Sequence, residues 1–271
     1  MYLNYWSRLP WNSVPVDGNA NNARILLVTG LSYARTVDTE RSPAIPAAAF
    51  FDLDKTVIST SSTLAFGRPF LRGGLIRRTD ALGLAFWQMR YKMSGASATQ
   101  MRRMRDQICA RCEGWDVATV REIVQEHLPE LFPTIVYPQA VELIESHRRA
   151  GRDIVVVSSG GAEVVDPIAV LLGADHVIST RLAIEDGRYS GKIEFYSVGP
   201  HKAAAMNEFA AAAGYSLAEC YAYSDSVTDL PMLEAVGRPT AVNPDRGLRR
   251  AAEARGWPIL RFRKPATEPA R

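Results

Sequence analysis

From residue 47 onward the chain alternates short apolar runs with segments whose apolar residues recur at helical spacing. Residues 47–54, Ala-Ala-Ala-Phe-Phe-Asp-Leu-Asp, are an apolar run that stops in carboxylates. This predicts a buried strand with acidic groups at its C-terminal end. Residues 153–158, Asp-Ile-Val-Val-Val-Ser, predict a second buried strand, and residues 175–179, 220–223, 240–243 and 258–262 predict four more. Between them, residues 139–150 carry apolar Ala140, Val141, Leu143 and Ile144, and Gly151 follows as a stop. Residues 162–172 and 201–213 are helical by the same criterion and are stopped by Gly173 and Gly214. Two further helices are predicted over 230–236 and 245–255. Within 181–195, Glu185-Asp-Gly-Arg marks the turn of a β-hairpin. Strands alternating with helices predict an α/β fold, a Rossmann-like core with a mainly parallel sheet.

Two stretches depart from this pattern. Residues 57–137 contain no convincing strand. Ser97-Ala-Thr-Gln100 is a capping box ahead of Met101, Met104 and Ile108 at helical spacing. Asp116 can cap a second helix running through Val120, Ile123, Val124 and His127. The stretch therefore reads as a helical insert between the first two strands. Residues 1–46 hold five Asn, four Pro and no sustained periodicity. They read as a flexible, poorly ordered N-terminal extension, although residues 24–31 are apolar enough for one short strand. The expected organisation is an extension over 1–46, a core built from 47–56 and 138–262, a cap over 57–137 and a tail over 263–271.

Composition narrows the class. The 271 residues are 47% hydrophobic and 23% charged, with a net charge of +3. These are globular values that exclude a polybasic protein, so no nucleic-acid partner is expected. Three Cys cannot form a disulfide framework, which fits a reducing cytoplasm. No apolar run reaches the length of about 18 residues that a membrane span needs. The first residues lack the basic and apolar blocks of a signal peptide. Peripheral membrane contact stays open, and nothing in the sequence sets an oligomeric state.

The residues that carry chemistry sit at the ends of predicted strands. Asp52-Leu-Asp54-Lys-Thr56 follows the first. Carboxylates two apart point the same way, and open parallel sheets place ligands beyond the carboxyl ends of their strands. Exposed turn aspartates are the plain alternative. Ser158-Ser159-Gly160-Gly161 ends the second strand ahead of a helix, where small residues let backbone N–H groups approach a phosphate. An ordinary strand-to-helix turn has the same look. Lys202 begins a helix, where the dipole opposes it, so a carboxylate cluster or an anion is expected to hold it there. Asp225-Ser-Val-Thr-Asp229 follows another apolar run. Its two carboxylates repel unless a cation or a lysine neutralises them, and the alternative is that one of them caps the helix at Leu230.

Taken in order, D-x-D-x-T, a Ser after an apolar strand, a Lys and S-D-x-x-x-D resemble the haloacid dehalogenase (HAD) superfamily. More narrowly they resemble subfamily IB, the phosphoserine-phosphatase-like branch. Residues 223–233, Tyr-Ser-Asp-Ser-Val-Thr-Asp-Leu-Pro-Met-Leu, are similar to that branch's fourth motif, with Ser224 where many relatives have Gly. The resemblance covers about residues 47–262 and implies a helical C1-type cap between the first and second motifs. It implies a phosphatase for which Asp52 is the nucleophile and Asp54 the general acid and base. Mg²⁺ would be held by Asp52, the Asp54 carbonyl and Asp225, with Asp229 orienting the metal's water or Lys202. Thr56, Ser158, Ser159, Gly160 and Lys202 would hold the phosphoryl group of a small phosphorylated substrate. Phosphoserine phosphatases commonly carry Glu nine positions after the nucleophile, and Ser61 stands there instead.

Two other outcomes share these motifs. One is phosphoryl transfer to an acceptor other than water. The other is a non-catalytic binding or regulatory protein on the same scaffold. Fusion to a lipid acyltransferase is excluded from this chain by the absence of any H-x4-D pattern. Cys109-Ala-Arg-Cys112 lacks a second ligand pair and reads as helix packing, as do Met89, Met93, Met101 and Met104. Of the four His, only His201 is expected near the site. Residues 68–111 hold ten Lys or Arg against two Asp. They form either solvated helix faces or a surface that attracts acidic groups.

Overall fold

The computed structural model describes residues 47–76 and 110–264. The chain divides into two units, Met1–Ala44 and Ile45–Arg271. The apolar runs form a seven-stranded sheet. Its strands are β1 (Ala48–Asp52), β2 (Asp153–Gly161), β3 (His176–Glu185), β4 (Arg188–Phe195), β5 (Tyr221–Ser224), β6 (Arg238–Val242) and β7 (Ile259–Leu260). They lie in the order β4-β3-β2-β1-β5-β6-β7. Only β4 runs antiparallel to its neighbour, through the hairpin that turns at Asp186-Gly187. This is the α/β architecture that the alternation predicts.

Side chains of β1 alternate between the two faces of the sheet, and every residue of the strand is buried. Ala48 and Phe50 join a core with Val155, Met206, Phe209, Met232 and Leu248. Phe51 points the other way and stacks on Tyr223, with ring centroids 4.6 Å apart. Full burial of each such side chain contributes about 1.5–3 kcal/mol. The sheet is covered by α4 (Pro138–Arg149), α5 (Ala162–Leu171), α6 (Pro200–Ala213), α7 (Leu230–Glu234) and α8 (Arg246–Arg255). Gly237 marks one tight crossing: a Cβ there would lie 1.9 Å from the Ala218 carbonyl oxygen.

Between β1 and α4 the regular elements of the described residues are helices. They comprise α1 (Ser62–Ala65), α2 (Gly67–Arg72) and the long α3 (Val117–Ile135). Asp116 caps α3 by accepting a hydrogen bond from the Thr119 N–H at 3.0 Å. The buried stripe Val120, Ile123, Val124, Leu128 and Phe132 of α3 follows helical spacing, and α3 packs on α5. The insert enters and leaves through adjacent backbone. Ser59 N–H donates to the Ile135 carbonyl at 2.6 Å, and Tyr137 N–H donates to the Val57 carbonyl at 2.9 Å.

Several boundaries shift for physical reasons. The first strand ends at Asp52 rather than Asp54, because the N–H groups of Thr56, Val57 and Ile58 all turn back to the Leu53 carbonyl. β2 continues to Gly161 through a register irregularity after Val157. The expected third strand and the first arm of the hairpin are one strand, β3, which is parallel to β2 at its start and antiparallel to β4 at its end. The capping box at 97–100, its helix, Cys109, Met89, Met93, the strand at 24–31 and most of the basic stretch 68–111 lie outside the described residues.

Candidate active site

The sheet order reverses at β1, which has β2 on one side and β5 on the other. Ligand sites of open α/β sheets form at such a switch, beyond the carboxyl ends of the strands. The register levels the motifs there. Asp52 pairs with Val157, so Ser158 follows directly, and Phe51 pairs with Tyr223, one residue before Ser224.

Lys202 ties the motifs together from the first turn of α6. Its Nζ donates to Asp52 Oδ1 at 2.6 Å and to Asp229 Oδ2 at 2.9 Å. All three groups are nearly inaccessible: Lys202 is 2% exposed, Asp52 4% and Asp229 4%. The other Asp52 oxygen, Oδ2, accepts from the Thr56 hydroxyl at 3.0 Å. Thr56 therefore grips the carboxylate directly below the site. Ser224 Oγ donates to Asp229 Oδ2 at 2.8 Å, a use that a glycine at this position could not serve. Neither Asp225 nor Asp229 acts as a helix-capping side chain. Asp229 holds the N-cap position of α7 without a capping bond, and the preceding turn is capped by Ser226, which accepts from Thr228 N–H.

Charge in the cluster is unbalanced. Burial, assisted by the charges of Asp229 and Asp54, pushes the Asp52 carboxyl up to about 7 against the pull of Lys202. Burial and the Asp52 charge push Asp225 up to about 8, with Lys55 and Lys202 pulling the other way. Burial opposes the charge on Lys202, but Asp229 and Asp52 more than offset it and hold the ammonium above its ordinary range. One buried ammonium thus faces three carboxylates. A divalent cation would supply the missing positive charge. Among the described residues no group of three His, Cys, Asp or Glu side chains is placed to hold a metal ion. Asp52 and Asp225 offer two carboxylates, and the Asp54 carbonyl can add a third oxygen. That donor set suits Mg²⁺, which keeps several waters, and does not suit a metal that requires an all-protein cage.

Asp54 is half-buried beside this cluster, and its Oδ1 accepts from the Ser62 N–H at 2.8 Å. Ser158 is fully buried at the end of β2, and its Oγ accepts from Gly160 N–H at 3.1 Å. Ser159 is exposed at the strand end. Gly160 has no room for a side chain, because a Cβ would lie 2.8 Å from both Ser62 Oγ and Val165 Cγ2. Among the described residues no side chain caps α5, so its first N–H groups have no capping partner there.

Several contributors were not visible in the motifs. Lys55 takes a left-handed φ of 62° and sits near enough to Asp225 to lower its pKa. Ser62 is fully buried, and its hydroxyl has no partner among the described residues. Ser226 and Asp245 organise the loop that carries Asp225. Local sequence gives a hint only for Lys55, which lies between the paired aspartates and Thr56. His201 is exposed and its ring faces Tyr196, whereas His147 is buried under β1 and bonds to the Tyr223 hydroxyl. Cys220 is a core residue whose Sγ accepts from Ala48 N–H.

Comparison with known proteins agrees with this geometry. Residues 49–234 match the family described as haloacid dehalogenase-like hydrolase. A Streptomyces azureus protein named for inhibition of morphological differentiation is 57% identical over 219 residues, 80% of this chain and 79% of its own length. A probable phosphatase of Mycobacterium tuberculosis is 52% identical over 226 residues, 83% of this chain and 79% of its own. A Bordetella pertussis crystal structure of unknown function superposes with a TM-score of 0.71 at 31% identity, covering 80% of this chain and 99% of that one. The chain belongs to the haloacid dehalogenase-like hydrolase family. Within it, the chain is a phosphatase of the phosphoserine-phosphatase-like branch.

Proposed function

We propose that the chain is a Mg²⁺-dependent phosphomonoester hydrolase that works through an aspartyl-phosphate on Asp52 and acts on a small phosphorylated metabolite. The supporting observation is the buried bridge from Lys202 to Asp52 and Asp229, with Thr56 on the second Asp52 oxygen. The two contacts fix the carboxylate's orientation before substrate arrives, which lowers the entropic part of the barrier. An Asp52 oxygen attacks phosphorus, and the bond to the leaving oxygen breaks as Asp54 gives that oxygen a proton. Asp54 then takes a proton from water as the water attacks phosphorus, releasing inorganic phosphate and the free Asp52 carboxylate. Ser158, Ser159, Gly160 and the first N–H groups of α5 hold phosphoryl oxygens, and Lys202 balances charge on the attacking side. Mg²⁺ held by Asp52, the Asp54 carbonyl and Asp225 would offset the charge of the phosphoryl oxygens.

The insert over 57–137 serves as the cap that selects the leaving group, since the core residues reach only the phosphoryl group. Ser61, half-buried ahead of α1, supplies no carboxylate for a substrate ammonium. Phosphoserine is therefore a weaker candidate than a phosphate ester without a nearby amine. Three Cys in the whole sequence are too few for a disulfide framework, which suits a reducing compartment such as the cytoplasm.

The test is a phosphomonoester panel with and without EDTA. Wild-type protein should hydrolyse at least one member only when Mg²⁺ is supplied, and D52N should fall to background while keeping its fold. D54N should lose much more rate on an alkyl phosphate than on an aryl phosphate with a good leaving group. Full turnover by D52N would overturn the covalent route, and equal losses for D54N would remove Asp54 from the acid role.

A further inference from the structure

We infer that Asp245, which lies outside every motif of the site, is the residue that sets the Asp225 loop for cation binding. The inference rests on the proposed Mg²⁺ site. Asp245 stands at the N-cap of α8, and its two carboxylate oxygens do different things. Oδ1 accepts from Leu248 N–H at 2.7 Å, which is the helix cap. Oδ2 faces the opposite way and accepts from Val227 N–H at 3.0 Å, with Ser226 Oγ at 3.4 Å. Its backbone N–H donates to the Asp225 carbonyl at 2.8 Å. One residue thus takes hold of 225, 226 and 227 in succession.

These bonds matter because they tie the start of the loop to α8, whereas its other bonds run within 224–229 or, at Asp229, to Lys202. Asp225 is followed by a single three-residue turn, Val227–Asp229, and Val227 is 38% exposed. Gly247, in the first turn of α8, closes the contact from the far side: a Cβ there would lie 2.9 Å from Val227 Cβ. The loop is therefore seated against the start of α8 by bonds on one side and close packing on the other. The same turn is itself anchored. Asn243, at a left-handed φ of 44°, accepts from Phe262 N–H at 2.9 Å and donates to the Phe262 carbonyl at 3.2 Å. Partners that orient a metal ligand are commonly worth about 10- to 100-fold in metal affinity. Asp245 acts through Asp225 and is a positioning residue.

The cap and the clamp separate in D245N. An asparagine oxygen can still cap α8, but its amide nitrogen would meet the Val227 N–H, donor against donor. D245S likewise keeps a capping oxygen and loses the second one. G247A displaces Val227 from the other side while adding a better helix former than glycine. The experiment is calorimetric titration of MgCl₂ into the substrate-free full chain, alongside thermal melts in EDTA. All three variants should bind Mg²⁺ about tenfold more weakly than wild type. D245N and D245S should melt within a few degrees of wild type, and G247A no lower than either. An unchanged Kd in folded D245N or D245S overturns the role of Asp245. If neither is folded, an unchanged Kd in G247A overturns it. Should wild type itself fail to bind Mg²⁺, the proposed metal site falls and this inference with it. A wild-type site with unaltered variants removes only the inference.

Discussion

Replacing Lys202 with Met keeps all but the last heavy atom of the side chain's length and deletes its charge. Asp52 Oδ1 and Asp229 Oδ2 then lose a partner at 2.6 and 2.9 Å, and both carboxylates stay buried at 4% exposure. Removing one member of a buried ion pair costs about 3–5 kcal/mol, mostly because the remaining charge is stranded. Against a total stability of about 5–15 kcal/mol the variant should still fold. Its urea midpoint should fall by about 1–2 M. The assay is urea unfolding followed by far-UV circular dichroism in EDTA, at pH 7.5 and again at pH 5. The deficit should be smaller at pH 5: losing Lys202 raises the Asp52 carboxyl above the value of about 7 it has beside the lysine, so the variant's folded state gains more from protonation between pH 7.5 and pH 5 than the wild type's does. A second substitution gives the sharper reading. D229N should destabilise the wild type, which loses an ion pair, yet stabilise K202M, which loses a stranded charge. If D229N lowers stability equally in both backgrounds, or if K202M matches wild type, the charge argument fails.

Two further outcomes follow from buried groups around the site. His147, 3% exposed, hydrogen-bonds through Nε2 with the Tyr223 hydroxyl, and burial first and then Arg152 push its pKa down to about 4. A histidine whose folded value lies below its free value stabilises the fold fully above pH 6.5, and that contribution drains away as pH falls toward 4. Wild type should therefore lose about 2 kcal/mol more than H147Q between pH 7.5 and pH 5; parallel stability–pH curves would contradict this. Ser62→Ala removes a buried hydroxyl that has no partner among the described residues. It should leave the melting temperature unchanged or raise it, and a drop of several degrees would show that the hydroxyl holds the structure.

What the sequence discloses here is what local pattern can encode. The β1 signal is strong because an unbroken apolar run meets two carboxylates, and the same logic places Ser158 and Asp225 at strand ends. The helix at Asp116 is legible because its cap and its stripe lie within a few turns. The end of β1 is not, since three N–H groups converging on the Leu53 carbonyl leave no mark on the apolar pattern. The continuity of β3 is hidden for a related reason: Ser179-Thr180-Arg181 looks like a break, yet Thr180 pairs with Gly161 and Arg181 with Phe195. Within the site, the grip of Lys202 on Asp52 spans 150 residues, and that of Asp245 on Val227 spans 18. Such pairings are products of tertiary packing. Motif order can suggest the first, through family resemblance, but nothing in the spacing of Asp245 singles it out from any other helix cap.

The paired backbone at Ser59–Ile135 and Val57–Tyr137 has a consequence for how such proteins diversify. Two chain segments that leave and rejoin the sheet side by side make a socket of fixed width. Whatever lies between them, short or long, must only bring its ends together across one pair of hydrogen bonds, and the sheet registers no difference. Loop-closure entropy grows slowly with length, so a larger or smaller insert changes the folding free energy little. The strands that carry Asp52 and Ser158 and the inserted segment can therefore change at separate rates. On the proposed cap role, a graft that exchanges residues 67–134 for the equivalent stretch of a relative, and so keeps the Ser62 N–H on Asp54, should alter specificity and leave the phosphoryl site in place.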